Sequence, residues 1–384
     1  MPSTNPSEQP KPGERNERRG FHLNPIFSSP LVPILAIFTA LVVASIALLL
    51  TGSNPITAYV ALGEGAFGSQ DAIILTLIKA TPYIIAGLGV ALGFRGGLFN
   101  IGIEGQLFVG SIMAVVAGTA FHLPAIIHIP LTLLAGFLGG AVWAGIPGYL
   151  KAHTGASEVI TTIMANYIAL DIIAWMIGAN GPLRAPRSIV PQTLSIFPSA
   201  QLPMLIPGTR LHAGIILAIL ITGLVYWLLF HTVIGFEIRT VGANPDAARY
   251  AGINVEWNIV RTMAISGGLA GLAGAVQVMG LAPFYFTTGF NVGSGFDSLA
   301  VAVLGGSHPI GVFFSALLFG AMNAGAPIMQ LRARIPSDII TILQGLILMF
   351  VAADAIIRSI YRLRKPSTAV EVDSLPSEEL GEKV

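Results

Sequence analysis

The chain has 384 residues, of which 54% are hydrophobic and only 10% are charged, and its mean hydropathy is +0.77. Soluble domains carry about 25% charged residues, so this composition predicts an all-α membrane protein whose apolar surface faces lipid. The net charge of +1 offers no basic field for nucleic acid, and the absence of cysteine excludes disulfides and thiolate metal sites. No metal site is expected.

Runs of about 20 apolar residues predict membrane-spanning helices. The first run follows a polar tail, residues 1–30, and is longer than the apolar region of a signal peptide, so we interpret it as a retained span. The eighth apolar run, Asp297–Leu304, is too short to cross the membrane unless it extends back through Gly289–Phe296. The candidates are Leu31–Leu50, Ile73–Phe94, Phe99–Ala120, Ile129–Leu150, Val159–Ile177, Ala213–Phe230, Ile259–Leu281, Asp297–Leu304, Ile310–Ala326 and Ile339–Ile357. They predict a polytopic bundle of about ten helices, at least one short or broken, within residues 31–363.

The basic residues are distributed unevenly between the loops. With the N-terminus inside and ten crossings, most of the 20 lysines and arginines lie in inside segments. This asymmetry predicts that both termini are cytoplasmic. Residues 364–384 are acidic and proline-containing, and they are predicted to form a disordered cytoplasmic tail. Residues 181–212 form an outside loop in which we expect a short helix lying on the membrane.

The segment Gly93–Gly110, GFRGGLFNIGIEGQLFVG, combines many glycines with polar residues inside predicted spans. Glycine within a helix costs about 1 kcal/mol relative to alanine, so the cluster predicts a broken helix or very close packing. Intramembrane polar groups are candidates for function. A structural alternative is that Arg95 pairs with Glu104 or lies at the cytoplasmic face. The polar candidates in this segment are Asn100, Glu104 and Gln106; further polar residues within spans are Lys79, Glu158, Asn166, Asp171, Gln277 and Gln344.

The longest inside loop, residues 231–258, contains a short helix signal. Asn244 suits an N-cap, Pro245 and Asp246 suit the first turn, and Gly252 suits the position after the C-terminus. Such a short helix is marginal alone, so we expect it to dock on its own bundle or on a partner. The alternative is a loop helix that lies on the lipid headgroups.

A third segment, Gly295–Gly320, begins with Asp297 and a short apolar run that stops at Gly305 and Gly306. Its half-length predicts a helix that ends within the protein, and discontinuous helices line binding sites in transporters. Asp297 is therefore a candidate for the site, although it could serve only as a helix N-terminal charge.

Sequence motifs for ATP hydrolysis are absent. A Walker A loop requires lysine followed by serine or threonine, and none of the five lysines has this neighbour. The chain also lacks HExxH and GxSxG motifs. We therefore predict that the chain is not an enzyme and binds no cofactor.

Four segments carry a resemblance to a known family. They are GGLFNIGIEGQLFVGS (Gly96–Ser111), SEVITTIMANYIA (Ser157–Ala169), NPDAARYAGI (Asn244–Ile253) and GFDSLAVAVLGG (Gly295–Gly306). The sequence resembles the permeases of the branched-chain amino acid, ribose and nucleoside ATP-binding cassette (ABC) importers. It is most similar to the nucleoside type that works with a basic-membrane-protein lipoprotein, over about residues 31–363.

The resemblance implies a type II-like importer permease in the bacterial plasma membrane, translocating nucleosides. It implies a second homologous permease, an extracytoplasmic solute-binding lipoprotein, and a cytoplasmic ATPase subunit whose two nucleotide domains hold ATP-Mg. The pathway candidates are Asn100, Glu104, Gln106, Asn166 and Asp297. The ATPase-coupling candidates are Asn244, Asp246, Ala247, Ala248, Arg249 and Gly252, with the two alanines small enough to seat in a cleft of the partner.

Three other functions remain open at this point. The chain could be a permease for a ribose-like sugar. It could instead be a secondary transporter that couples to ions through Glu104, Asp171 or Asp297, or a channel or structural membrane protein. The predicted docking helix favours the ABC permease, since a secondary carrier needs no such helix.

Overall fold

The structure is a computed structural model that describes residues 25–50, 52–287, 289, 293–336, 338–353, 357, 360 and 361, with side chains from residue 33 onward except at 352. The predicted C-terminal tail and most of the predicted N-terminal tail lie outside these residues. Within them the chain is helical and forms no β-strand beyond two isolated bridges.

Thirteen α-helices follow one another in the described residues. They are α1 (Pro25–Leu50), α2 (Pro55–Phe67), α3 (Gln70–Arg95), α4 (Ile103–Ala120), α5 (Ala125–Thr154), α6 (Glu158–Ile177), α7 (Gly214–His231), α8 (Val233–Ala243), α9 (Pro245–Tyr250), α10 (Val255–Gly280), α11 (Ser294–Leu304), α12 (Pro309–Ala333) and α13 (Asp338–Ala352). Eight of these are long and apolar enough to cross a membrane: α1, α3, α4, α5, α6, α7, α10 and α12. The predicted all-α, polytopic membrane bundle is confirmed.

The short eighth segment is confirmed as a half-length helix. Helix α11 has 11 residues, starts after Gly293, and ends before Gly305. It therefore extends back only to Ser294. Helix α13 is described over 15 residues, and most of the remainder of the predicted span Ile339–Ile357 lies outside the described residues.

Two helices were missed because a search for spans of about 20 residues passes over shorter elements. Helix α2 has 13 residues and begins at an Asn54 cap followed by Pro55, while α8 has 11 residues and begins at a Thr232 cap. The expected short helix in the loop 181–212 is only a 3-10 turn at Pro198–Ala200.

Helix α10 lies at the centre of the bundle, and glycine permits its close contacts. A Cβ on Gly271 would collide with the backbone of Gly136 and Gly140 in α5, and one on Gly110 in α4 would collide with Gly271. In lipid, helices associate through such small residues because apolar side chains gain little by leaving hydrocarbon. The close packing of α4, α5 and α10 forms one side of the bundle.

The predicted break in Gly93–Gly110 is present between α3 and α4. Residues 96–102 are not helical, and Gly97 has a φ of 71°, which an L side chain rarely adopts. Non-helical backbone at membrane depth is tolerated only inside protein or beside a water-filled cavity. Here Asn100 and Gly102 are buried in the bundle and held by the polar contacts described below, whereas Gly97 and Phe99 are exposed.

Candidate functional site

A cavity of about 630 Å³ opens between α3, α11, α12 and α13 and the segment that follows α10. This size lies within the ordinary range for small-molecule sites, about 300–1,000 Å³. Its polar lining residues are Lys79, Tyr83, Gln277, Tyr285, Thr287, Ser294, Asp297, Asn323, Thr341 and Gln344. The cavity therefore lies within an apolar bundle and is lined by many hydrogen-bonding groups.

Asp297 stands at the start of α11 on the wall of this cavity. The Tyr83 hydroxyl donates a hydrogen bond of 2.9 Å to its Oδ2 atom. Asn323 donates in turn to the Tyr83 hydroxyl at 3.2 Å and to the carbonyl of Phe319 at 3.0 Å. These contacts fix one carboxylate oxygen, while the other, Oδ1, has no hydrogen-bond partner among the described residues.

Glu104, in the first turn of α4, caps the N-terminus of α11. Its Oε1 accepts from the N–H of Gly293 and its Oε2 from the N–H of Gly295, each at 2.6 Å, and the residue is only 2% exposed. A carboxylate at this position satisfies free N–H groups and complements the helix dipole. The considered pair between Arg95 and Glu104 is wrong, because the Arg95 Nε donates to the Ser307 carbonyl at 2.9 Å.

Asn100 and Gln106 form a reciprocal pair within the break. Each side-chain amide donates to the carbonyl oxygen of the other at 2.8 Å, and both residues are 0% exposed. Asn100 also donates to the Ser266 hydroxyl of α10 at 3.0 Å. The pair therefore ties the break to the central helix.

Asn166 of α6 holds the break from the opposite side. Its Oδ1 accepts from the N–H of Gly105, and its Nδ2 donates to the carbonyl of Ile101, both at 2.9 Å. The structure thus brings Asn100, Glu104, Gln106 and Asn166 together around the start of α4, where each has protein partners. Of the five pathway candidates, only Asp297 lines the cavity.

Several cavity residues have no role predicted from the sequence, among them Tyr83, Gln277, Asn323 and Gln344. Gln277 and Gln344 carried a usable signal, since both are polar residues within predicted spans. Tyr83 and Asn323 carried little, because single tyrosines and asparagines are ordinary in helices. Their place beside Asp297 follows from contacts over more than two hundred residues of sequence.

The predicted capped helix is confirmed as α9. The Asn244 side chain accepts from the N–H groups of Asp246 and Ala247, both at 3.0 Å. Gly252 has a φ of 82°, and its N–H donates to the Arg249 carbonyl at 3.0 Å. Both ends are therefore held by the local groups expected from the sequence.

The two faces of α9 differ sharply in exposure. Ala248 is 0% exposed and packs in an apolar cluster with Val241 and Val255, so its side chain faces its own chain. The opposite face is open, and Tyr250 is 95% exposed there. Asp246, Ala247 and Arg249 are also exposed. A direct contact with a partner would fall to these exposed residues, with Ala248 seating the helix on its own bundle.

Comparison with known proteins places the chain in a family. Residues 72–352 match the family described as "Branched-chain amino acid transport system / permease component". The chain belongs to this permease family. The resemblance found in the motifs is confirmed, and the protein is a multi-pass membrane permease, a transport component rather than an enzyme.

Several relatives of this permease are ABC transporter permeases. It is 40% identical over 328 residues to the guanosine ABC transporter permease protein NupP of Bacillus subtilis, covering 85% of this chain and 94% of that protein. It is 37% identical to the nucleoside ABC transporter permease protein NupB of Lactococcus lactis, covering 85% and 92%. It is 31% identical to the glucose ABC transporter permease protein TsgB13 of Haloferax volcanii, covering 83% and 86%.

The permease family implies partners within an ABC transporter. Bacillus subtilis and Lactococcus lactis each have another similar permease that is named for the same solute class as NupP or NupB.

No solved structure matches this permease.

Proposed function

We propose that this chain is the membrane-spanning permease subunit of an ATP-driven importer of nucleosides in the bacterial plasma membrane. The observation that carries the proposal is the similarity, over 85% of this chain and at least 92% of each relative, to permeases named for guanosine and for nucleosides. A polar cavity of about 630 Å³ supports it, since it suits a small, hydroxylated solute.

The solute site of the proposal is the wall of the cavity at Asp297. The Oδ1 of this carboxylate, which has no partner among the described residues, can accept a hydrogen bond from a ribose hydroxyl, while Tyr83 holds Oδ2. The four other pathway candidates, Asn100, Glu104, Gln106 and Asn166, belong to the proposed pathway as its rigid support. Glu104 fixes the N-terminus of α11. The side-chain amides of Asn100, Gln106 and Asn166 hold the non-helical segment between α3 and α4 in place.

The energy for transport enters, in this proposal, through α9. A cytoplasmic ATPase subunit with two nucleotide domains and ATP-Mg docks on the exposed face at Asp246, Ala247 and Arg249, with Tyr250 beside them. Asn244 and Gly252 keep the helix rigid, because they satisfy its two ends. Ala248 transmits the movement of the ATPase to the bundle through its buried contact with Val241 and Val255.

The complete transporter in the proposal has two further subunits. A second, homologous permease completes the pathway, as suggested by the two similar permeases in each of two bacteria. An extracytoplasmic lipoprotein delivers the nucleoside. Both termini of this chain lie in the cytoplasm, which rests on the distribution of its lysines and arginines.

Uptake by the complete transporter tests the proposal. The chain is expressed with its neighbouring transporter subunits in a strain without nucleoside uptake, and accumulation of labelled guanosine, adenosine and uridine is measured. We expect accumulation that requires a hydrolysis-competent ATPase and persists with a protonophore when ATP is maintained. Accumulation driven by an ion gradient without the ATPase would overturn the proposal and support a secondary transporter.

A variant of the carboxylate tests the site itself. Asp297→Asn should lower the rate of nucleoside uptake by about 10- to 100-fold, since a hydrogen bond to a charged group contributes about 1.5–3 kcal/mol. Asp171→Asn is the matched control, because Asp171 is an exposed aspartate of α6 outside the cavity. Equal rates in both variants would remove Asp297 from the site.

A sugar is the second candidate solute, favoured by the 31% identity to a glucose permease. A carboxylate that accepts hydroxyl hydrogen bonds would serve a pentose or hexose as well as the ribose of a nucleoside. Uptake of ribose and glucose in the same strain separates the two. Sugar uptake without nucleoside uptake would replace the proposed solute and leave the permease role intact.

A further inference from the structure

Two glutamines on the cavity wall leave buried polar atoms without partners. Gln277, in the last turn of α10, is 5% exposed, and Gln344, within α13, is 7% exposed. The Oε1 of Gln277 and the Nε2 of Gln344 have no hydrogen-bond partner among the described residues. An unpaired buried polar group is energetically costly, so each such group in a folded protein requires an explanation.

The other buried polar groups around the α3–α4 break show how this protein usually satisfies such groups. Asn100 and Gln106 pair with each other, and Asn166 bonds to two backbone groups. Gln277 and Gln344 differ from these residues in one further respect, because both line the cavity. Each glutamine therefore lines a space large enough for a ligand, while its unpaired atom is itself covered by protein.

We propose that Gln277 and Gln344 bind the hydrogen-bonding edge of the nucleobase, an inference that rests on the proposed nucleoside import. A carboxamide carries one acceptor and two donor hydrogens, and it can pair with the adjacent donor and acceptor of a base edge, as glutamine does with adenine in DNA recognition. On binding, each side chain turns about its terminal torsion so that Gln277 offers the acceptor and Gln344 the donor. A glutamine amide can present either group to a ligand, so the pair accommodates more than one base.

The same cavity is lined by further polar groups that could bind the sugar. Asp297 and Tyr83 lie on α11 and α3, whereas the two glutamines come from α10 and α13. A ribose bound at the carboxylate and a base bound at the amides would use both sets of polar groups in one cavity. The assignment distinguishes a nucleoside from a free sugar, which has no group for the glutamines.

The charges around the cavity favour a neutral solute. The N–H groups of Gly293 and Gly295 at the start of α11 already bond to Glu104, so they are not available to a phosphate. Lys79 also lines the cavity, together with the oppositely charged Asp297. A nucleoside fits this arrangement better than a nucleotide, which would place a phosphate beside the Asp297 carboxylate.

Selective loss of base recognition tests the inference. Gln277→Leu and Gln344→Leu remove the amide and keep a side chain of similar size. Each variant is expressed with the other transporter subunits, and the maximal uptake rates of inosine and purine riboside are compared at saturating solute. Inosine carries the 6-carbonyl and the N1–H, purine riboside lacks both, and the two share the ribose. Gln330→Leu, at an exposed position of α12, is the matched control.

We expect each cavity variant to lower the inosine rate by about three- to tenfold, with little change for purine riboside, while Gln330→Leu leaves both rates unchanged. Saturating solute separates this effect from the affinity of the lipoprotein. Equal losses for the two solutes, or unchanged rates for both in a normally assembled transporter, would overturn the base-edge assignment. Absence of nucleoside uptake by the wild-type protein would instead overturn the proposed function on which it rests.

Discussion

The side chain of Glu104 accepts a hydrogen bond of 2.6 Å from the backbone N–H of Gly295, a residue 191 positions later in the chain. The contact joins the first turn of α4 to the first turn of α11, on which Asp297 stands. The carboxylate that we place at the solute is therefore held in position by a second carboxylate that lies behind it. The α3–α4 break and the cavity wall form one connected unit.

Glu104→Gln should weaken this unit. A neutral amide presents an N–H to one of the two glycine N–H groups, so one hydrogen bond is lost and the other is no longer charge-assisted. We expect a loss of about 1.5–3 kcal/mol in stability and slower uptake, with assembly of the transporter intact. Thermal unfolding and uptake measure the two effects. Glu64→Gln is the control, because the exposed pair of Glu64 with Arg332 should contribute about 0–1 kcal/mol. Unchanged transport in Glu104→Ala would exclude this residue from the site.

Gly295→Ala should be destabilising for a steric reason. A Cβ on Gly295 would lie 2.5 Å from the backbone N and Cα of Glu104, closer than atoms can approach. We expect a cost of about 1–3 kcal/mol from the forced shift of α11 and a lower unfolding temperature. Gly345→Ala is the matched control, since nothing lies within 4 Å of a Cβ there. Its helix should be stabilised by about 1 kcal/mol. A similar unfolding temperature for both variants would contradict the close contact.

Ala247→Trp should impair ATPase docking and Ala248→Trp should impair folding, although the two residues are neighbours. Ala247 is exposed, so the fold should tolerate the large side chain while ATPase co-purification and solute-stimulated ATP hydrolysis fall. Ala248 is fully buried against Val241 and Val255, so tryptophan there should destabilise the chain by about 1–3 kcal/mol. Normal co-purification and hydrolysis in Ala247→Trp would show that the ATPase docks elsewhere, and residues 151–157 would be the next segment to test.

His212 should make the stability of the protein depend on pH. Its Nδ1 accepts from the N–H of Gly214 at 3.1 Å, and burial lowers the pKa of the imidazole to about 4. The unfolded chain takes up the proton near pH 6.5, so stability falls as the pH drops from about 6.5 toward 4. Between pH 7.5 and pH 5 we expect a loss on the order of 2 kcal/mol. His212→Asn keeps an acceptor without this titration and should lose less. Equal losses in thermal unfolding of both proteins would contradict the assignment to His212.

Cysteine labelling tests the orientation, and the cysteine-free chain makes the experiment clean. An impermeant maleimide added to intact cells should label Ile189→Cys, a highly exposed position of the loop predicted to be outside. Thr368→Cys, in the C-terminal tail outside the described residues, should react only after the cells are opened. Labelling of Thr368→Cys from outside would reverse the proposed topology.

Several features could be predicted from the sequence because they depend on neighbouring residues or on composition. The half-length α11 follows from an apolar run interrupted by Gly305 and Gly306, and the capped α9 follows from Asn244, Pro245 and Gly252. The missed helices α2 and α8 are too short for the span criterion, although both begin at a good cap.

The candidate site shows where prediction from sequence stops. Asn100, Gln106, Gln277 and Gln344 look alike in the sequence, because each is a polar residue within a predicted span. In the structure Asn100 and Gln106 pair with each other, whereas Gln277 and Gln344 line the cavity. A hydropathy pattern records that a side chain is polar, and it does not record which residue from a distant helix lies opposite. The same limit applies to Ala248, whose small size suited a partner contact and which instead packs within the chain.

The sequence by itself determined that this protein is a polytopic helical permease with a broken α3–α4 segment and a capped α9, because hydropathy, helix caps and family motifs are local properties of the chain. Only the tertiary structure decided that Glu104 caps α11, that Tyr83 and Asn323 hold Asp297, and that Gln277 and Gln344 share a cavity with them. These contacts join segments far apart in the sequence, and they arise when glycine-lined helices pack closely enough for the polar groups of different helices to meet.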